Sequence, residues 1–552
     1  MSPAAPRRRA AAAASAAGEA ARCVGAASVL ALLVAAAGAA LPATAAPPAD
    51  AARTAGTTEC RIAGLRNSVR CGVLQRALDP ARPAATQIEV HYAVVPAIAR
   101  RKLPDPVFVL AGGPGQSAID IAPTMVALLA RLGNRRDIVF VDQRGTGRSA
   151  PLQCPPAANE TFADAVDPER QASRLARCRA ELLAQRHIGA ADDLRFFTTP
   201  LAMQDLDAVR DALGAQRINL VGASYGTRAA LEYQRQFPAR VRRSVIDGIA
   251  PPDMVLPASF AIDGQAAFEA MLAACEAEPA CKARHPTLRA DWAALLQRLP
   301  QTVRVADPLT GRPETLVLTR DVLLGAVRGP LYSPVLASAL PVALAAAARG
   351  EFAGLVGLAG ALGSQRRGAV ALGMHFSVIC AEDMPLLERG AAAVIATDNG
   401  DASLSLYRRV CADWPRGAVP AAFYSVPTSA VPVLLLSGGL DPATPPRHGE
   451  RVARSLGALS RHVVVPNAGH GVVGLGCMRD GVYRFIDEAD DRDALAVEVG
   501  CATGVPRPPA FQPVGVSGKS GDSGVSRAGD AREAREGRDP RQVGETSKAP
   551  PR

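Results

Sequence analysis

Gly222-Ala223-Ser224-Tyr225-Gly226 is a G-x-S-x-G pentapeptide, with apolar sequence before it and helix-forming sequence after it. Arg217-Ile218-Asn219-Leu220-Val221 reads as a short strand. Thr227 to Phe237 is rich in Ala, Leu, Glu, Gln and Arg and reads as a helix. Strand, tight turn and helix are the setting in which this pentapeptide forms a nucleophile elbow. The serine then occupies a strained turn with its hydroxyl clear of the backbone. Glycines flank it because side chains there would collide with the adjacent strand and helix. Taken alone, the pentapeptide is also compatible with an ordinary β-to-α loop.

Three further segments complete a chemical pattern. Val107-Phe108-Val109-Leu110-Ala111-Gly112-Gly113-Pro114-Gly115 is a buried-type strand running into a glycine-rich loop. Acyl transfer places negative charge on a carbonyl oxygen, and two backbone N–H groups are its usual partners. Tyr225, the residue after the serine, is expected to supply one and Gly113 the other. Pro114 has no N–H to give. Val433-Leu434-Leu435-Leu436-Ser437-Gly438-Gly439-Leu440-Asp441 is a buried strand ending in a turn and an acid. Asp247, after Ser244-Val245-Ile246, is the alternative acid. Arg461-His462-Val463-Val464-Val465-Pro466 is a strand that leads to Asn467-Ala468-Gly469-His470-Gly471. His470 lies on a glycine-flanked loop from which an imidazole can reach across the top of a sheet. His462 and His91 fall in strands, while His187, His285, His375 and His448 fall in helical or loop surroundings.

The order Ser224, Asp441, His470 is that of the α/β-hydrolases. In the expected mechanism His470 takes the serine proton, Ser224 attacks a carbonyl and Asp441 orients the imidazole. No metal or other cofactor is expected, because no H-E-x-x-H or Cys/His ligand spacing occurs.

The 552 residues allow one large domain with an insertion, or two domains. Residues 1–45 read as a secretory signal peptide. Arg7-Arg8-Arg9 and Arg22 form the basic region, Val24 to Ala40 the apolar region and Ala43-Thr44-Ala45 the cleavage site. An uncleaved anchor is the rival reading, but the apolar run is short and alanine-rich for a membrane span. Cleavage leaves ten of the eleven cysteines, an even number that suits an oxidising compartment. Nearest-neighbour pairing gives 60–71, 154–178, 275–281, 380–411 and 477–501. Formal charge is +10, falling to about +7 without the leader. The basic residues are dispersed and not interleaved with aromatics, so no nucleic-acid partner is expected.

Strands alternating with helices predict an α/β fold: a mostly parallel sheet flanked by helices, with ligands at the carboxyl ends of the strands. The first part of the core is expected over 46–250. Residues 251–427, with Ala- and Leu-rich runs at Gln265–Glu276, Arg289–Leu299 and Val335–Arg349, are expected to form a helical cap between nucleophile and acid. The core resumes over 428–511. Residues 512–552, poor in large apolar side chains, read as a disordered tail.

The stretches Ala-Gly-Gly-Pro-Gly at 111–115, Asp-Gln-Arg-Gly-Thr-Gly-Arg-Ser at 142–149, Gly-Ala-Ser-Tyr-Gly at 222–226, Asp-Pro-Ala-Thr-Pro at 441–445 and Ala-Gly-His-Gly at 468–471 resemble the proline iminopeptidase and secreted tripeptidyl aminopeptidase family of α/β-hydrolases. The resemblance covers roughly 60–511. It implies an exported serine exopeptidase acting on peptides with a free N-terminus. It also implies cap acids that hold the substrate ammonium, for which Glu382 and Asp383 in Cys380-Ala381-Glu382-Asp383 are the counterparts, and a supporting role for Thr444 beside Asp441. Ala111 stands where proline iminopeptidases usually carry His, which favours the tripeptidyl-type group over strict proline specificity. The competing readings are a secreted carboxylesterase or lipase on the same triad, and a non-catalytic binding protein on the same fold.

Overall fold

The computed structural model describes residues 56–156, 159–361, 370–390 and 400–512. The expected leader, and the expected tail beyond residue 512, lie outside the described residues.

Val107–Leu110 (β4) and Ile138–Val141 (β5) are buried at every position, as are five of the six residues of Ile218–Ala223 (β6) and all of Val433–Gly438 (β10). Strands apolar on both faces belong inside a parallel sheet covered by helices on either side. With Val241–Asp247 (β7) and Ser460–Val465 (β11) they run parallel in the order β5-β4-β6-β7-β10-β11. Thr57–Cys60 (β1), Val69–Ala77 (β2) and Gln87–Val95 (β3) extend the sheet antiparallel beside β5, so nine described strands form it. One face packs Val107, Val109, Phe140 and Leu436 against Phe485 and Met478. The other packs Phe108, Leu220 and Leu435 against Met203, Leu206 and Tyr233. Each fully buried Leu or Phe contributes about 1.5–3 kcal/mol, and together they fix where each strand ends.

Those ends carry the residues expected to form the site. Ser224 follows β6, Asp247 closes β7, Asp441 follows β10 and His470 follows β11. The crevice beyond the carboxyl ends of parallel strands is where this class of sheet binds ligands.

Between β7 and β10 the chain is mainly helical, including Leu256–Ala277, Arg320–Leu331, Ala353–Ala361 and Gly400–Asp413. It also contains an antiparallel hairpin, Gln301–Ala306 (β8) with Pro313–Leu318 (β9), which the all-helical expectation omits. Val303, Val305, Leu316 and Leu318 are buried while the residues between them face outward, the period-two pattern of a half-buried hairpin. Asp307 Oδ1 accepts from the N–H groups of Leu309 and Thr310 and fixes the turn.

Among the described residues five disulfides occur: Cys60–Cys71, Cys154–Cys178, Cys275–Cys281, Cys380–Cys411 and Cys477–Cys501. They are the nearest-neighbour pairs. Cys380–Cys411 spans 31 residues and joins the segment carrying Glu382 to helix Gly400–Asp413, with both cysteines fully buried. Replacing both with Ala is expected to lower the unfolding free energy by about 2–4 kcal/mol. Calorimetry checks this: a melting temperature within about one degree of wild type would show that the bridge adds nothing.

Candidate active site

Strand β6 ends at Ala223 and a helix begins at Tyr225, so the chain reverses at Ser224 alone. Ser224 adopts φ 56°, ψ −124°, a strained conformation for a residue with a side chain. Its neighbours hold it there. Ser224 N–H donates to Asp247 O at 2.8 Å, and its own carbonyl accepts from Thr227 N–H at 2.8 Å. A Cβ on Gly222 would lie 2.4 Å from Gly226 O, and one on Gly226 2.2 Å from Leu110 O. Both obstacles are backbone, so both positions require glycine.

Asp441 is buried in the turn after β10. Its Oδ1 accepts from the N–H groups of Ala443 and Thr444 at 2.8 and 2.9 Å, and Oδ2 accepts from Thr444 Oγ1 at 2.8 Å. Oδ2 also faces His470 Nδ1 at 2.8 Å. A carboxylate accepts only, so Nδ1 carries the proton and Nε2 is left free as a base. Burial alone would raise the Asp441 carboxyl, but the His470 charge and hydrogen bond and the turn N–H groups bring it below the ordinary carboxylate range. For His470, burial works downward and Asp441 overcomes it, so the imidazole sits above its ordinary value. His470 N–H donates to Tyr332 O at 3.0 Å, and the Tyr332 ring stands edge-on to the imidazole with centroids 5.1 Å apart.

The alternative acid, Asp247, has a different task. Its carboxylate accepts from Val472 N–H at 2.8 Å and Val473 N–H at 2.9 Å, so it ties down the loop that carries His470. Burial pushes this carboxyl up to about 6. The next residue, Gly248, packs against the imidazole: a Cβ there would lie 3.2 Å from His470 Cε1. Ser224, through its N–H to Asp247 O, and His470 therefore both adjoin the Asp247–Gly248 turn. Among the described residues the Ser224 hydroxyl is not hydrogen-bonded to the imidazole. Such contacts are commonly long before substrate binds.

The glycine-rich loop passes beside the serine: a Cβ on Gly112 would lie 3.2 Å from Ser224 Cβ. Gly112 N–H is engaged with Gln116 Oε1 at 3.3 Å. Among the described residues, the N–H groups of Gly113 and Tyr225 have no acceptor, as an oxyanion donor pair requires. His375 pins this loop from the cap. Its Nδ1–H donates to Pro114 O at 3.3 Å, and its Nε2 accepts from Tyr407 OH at 3.0 Å. Burial pushes His375 down to about 4, so it is a neutral strut.

Glu382 and Asp383 are the correction. The resemblance casts them as ligands of a substrate ammonium, but both are fully buried and face a cation of this chain, Arg228, one turn after Ser224. Arg228 donates to Asp383 Oδ2 at 2.9 Å and Oδ1 at 3.2 Å, to Glu382 Oε2 at 3.5 Å and to Met254 O at 2.8 Å. Asp383 Oδ1 also accepts from Leu256 N–H at 2.8 Å. Glu382 Oε1 accepts from Thr199 N–H at 2.7 Å, and Oε2 from Thr199 Oγ1 at 3.0 Å. Every carboxylate oxygen is engaged. Burial pushes Glu382 up to about 7 against the pull of Arg228. Sequence reasoning missed Arg228, although an Arg directly before the apolar run Ala229-Ala230-Leu231 is a usable sign of a buried charge seeking partners.

The chain belongs to the alpha/beta hydrolase fold family, whose pattern matches residues 105–476. It is 31% identical over 199 residues to a tripeptidyl aminopeptidase of Streptomyces lividans, a match covering 34% of this chain and 36% of the relative. The match thus spans about a third of that relative's length. Identity to the serine protease Hip1 of Mycobacterium tuberculosis is 28% over 391 residues, covering 64% of this chain and 74% of Hip1. Identity to carboxylesterase B of the same organism is 31% over 438 residues, covering 73% and 80%.

Hydrolysis through the Asp441–His470 pair needs a neutral imidazole. In wild type, kcat/KM is therefore expected to rise with pH through a midpoint above about 6.5, the ordinary histidine value. Asp441→Asn removes the main group that raises His470, leaving burial to act downward against Asp247 alone. The midpoint should move to lower pH while kcat falls by roughly 10⁴. A pH–rate profile of both proteins checks this, and an unmoved midpoint would assign the ionisation to another group.

Proposed function

We propose that this chain is an exported serine aminopeptidase that releases N-terminal residues or short peptides through an acyl-enzyme on Ser224. The observation that carries this reading is the Asp441–His470 pair, with its base nitrogen free, beside a strained serine and two unengaged backbone N–H groups. His470 Nε2 takes the Ser224 proton as the hydroxyl oxygen attacks the scissile carbonyl. The oxyanion is received by the N–H groups of Gly113 and Tyr225. His470 then protonates the leaving amine, and water attacks the acyl-enzyme by the same route in reverse. Glu382 and Asp383 enter this reading as anchors of the cap over the serine helix, not as ammonium ligands.

Peptide chemistry is supported by the relatives named tripeptidyl aminopeptidase and serine protease. Export is supported by the leader-like residues 1–45 and by five disulfides, which persist in oxidising compartments. Among the described residues no helix is long and apolar enough to cross a membrane. A carboxylesterase is the second reading, favoured by the relative of that name, which is matched over 80% of its length.

A panel of prolyl, alanyl and tripeptidyl amides, each with a free and an acetylated amine, together with a short-chain ester, separates the two. Amide cleavage confined to free amines is expected. Ester turnover without amide cleavage would make the protein an esterase. Ser224→Ala should lose at least roughly 10³ in kcat/KM on every productive substrate while keeping its fold. Wild-type turnover by that variant would mean another nucleophile.

A further inference from the structure

Helix Arg320–Leu331 presents Asp321, Gly325 and Arg328 to one cavity of about 450 Å³ in the cap. The spacing i, i+4, i+7 puts them on one face, and Tyr332 continues the same line. The other walls are mainly apolar and include Val305 and Leu316 of the hairpin, Phe352, and Leu355 of helix Ala353–Ala361. The cavity adjoins the candidate active site on two sides. Arg328 donates to Tyr332 OH at 3.1 Å, and Tyr332 packs on His470. On the far wall Tyr407 binds His375, which holds Pro114 of the glycine-rich loop.

The charges on this wall are under-used. Arg328 lies over the Phe260 ring at 3.8 Å, and its buried Nε has no hydrogen-bond partner among the described residues. A buried donor left without a partner is costly, and a ligand oxygen would relieve that cost. Among the described residues no side chain donates to the Asp321 carboxylate. Burial nevertheless raises this carboxyl, and its own backbone N–H and the neighbouring Arg320 oppose the shift only in part. A first-turn acid suits the helix dipole, but that does not account for its place on a cavity wall.

We infer that this cavity receives the N-terminal, apolar residues of the peptide substrate, with Asp321 binding the terminal ammonium and Arg328 a backbone carbonyl oxygen. The inference rests on the aminopeptidase reading and supplies the anion that Glu382 and Asp383 do not. Its length fits. Asp321 and Tyr332 are about 16 Å apart along the helix, and an acyl group of three extended residues spans about 10 Å, with side chains completing the distance at both ends.

Gly325 offers a direct test, because a Cβ added there meets nothing within 4 Å. Gly325→Phe fills the cavity without displacing the backbone, and Asp321→Asn removes the charge. Both variants and wild type, as mature protein, are assayed on an apolar tripeptidyl p-nitroanilide, its N-acetyl form and p-nitrophenyl acetate. For each variant, kcat/KM on the free-amine tripeptide is expected to fall at least about tenfold relative to that on the acetate ester. Asp321→Asn should act through KM and abolish the preference for the free amine. A wild type that requires a free amine, with variants that keep the wild-type ratio, would overturn the cavity assignment and leave the aminopeptidase standing. A wild type that cleaves the acetylated tripeptide equally well would overturn both.

Discussion

Arg228 places a full positive charge where no water reaches, one helical turn from the serine. Burial alone makes that costly, and it is tolerable because two carboxylates and a carbonyl converge on the guanidinium. The partners come from distant parts of the chain. Glu382 and Asp383 belong to the π-helical turn Ile379–Asp383, and Met254 and Leu256 to the entry of the first cap helix. Thr199, at the start of the helix before β6, joins through Glu382 and accepts from Tyr225 OH at 2.5 Å. One buried cluster therefore fixes the nucleophile helix, the cap's entry and its return segment together. Hydrophobic residues of the same volume could stabilise these contacts equally well, but not with the same registry. The planar guanidinium donates to its partners at few angles, so the Ile379–Asp383 turn sits against the helix after Ser224 in one position.

The strain at Ser224 has a similar origin. A left-handed φ at a residue with a side chain persists only where its surroundings over-determine it. Here β6 is locked between β4 and β7, and the helix after Ser224 is buried from Tyr225 to Gln234. Neither element can relax, so the turn keeps the hydroxyl off the backbone path.

Much of this was legible in the residues, and the legible part has a common character. Glycines facing backbone, apolar runs ending in Asp or His, and cysteines paired with their nearest neighbours each reflect a local constraint that a short segment records. β1 and β2 were not named, because Val69–Ala77 carries polar side chains at an open part of the sheet and lacks the continuous apolar run of β4 or β10. The hairpin β8–β9 was overlooked although Thr302-Val303-Arg304-Val305 alternates, since the helix-forming sequence around it dominated. Glu382 and Asp383 were misjudged for a deeper reason. An acidic pair reads as available for a ligand until the cation that neutralises it is known, and Arg228 lies about 150 positions away. Nothing local announces such a pairing.

The carboxylates around the serine show how the fold assigns roles to one chemical group. Asp441 and Asp247 both end parallel strands, and both are buried within reach of the same histidine. Asp441 receives the Nδ1–H and the turn donors, and is held charged. Asp247 receives backbone N–H groups alone, and burial prevails. The imidazole thus has one firm anion on its proton-bearing side, and a second acid that grips its loop without competing for the proton. The two neighbouring acids are thereby given different partners, one the imidazole and the other the loop backbone. Tyr332 adds the cap to this arrangement, since its carbonyl accepts from His470 N–H while its hydroxyl accepts from Arg328. The cavity wall thus reaches the His470 loop through Arg328 and Tyr332, and a shift of Tyr332 would move the loop that carries His470.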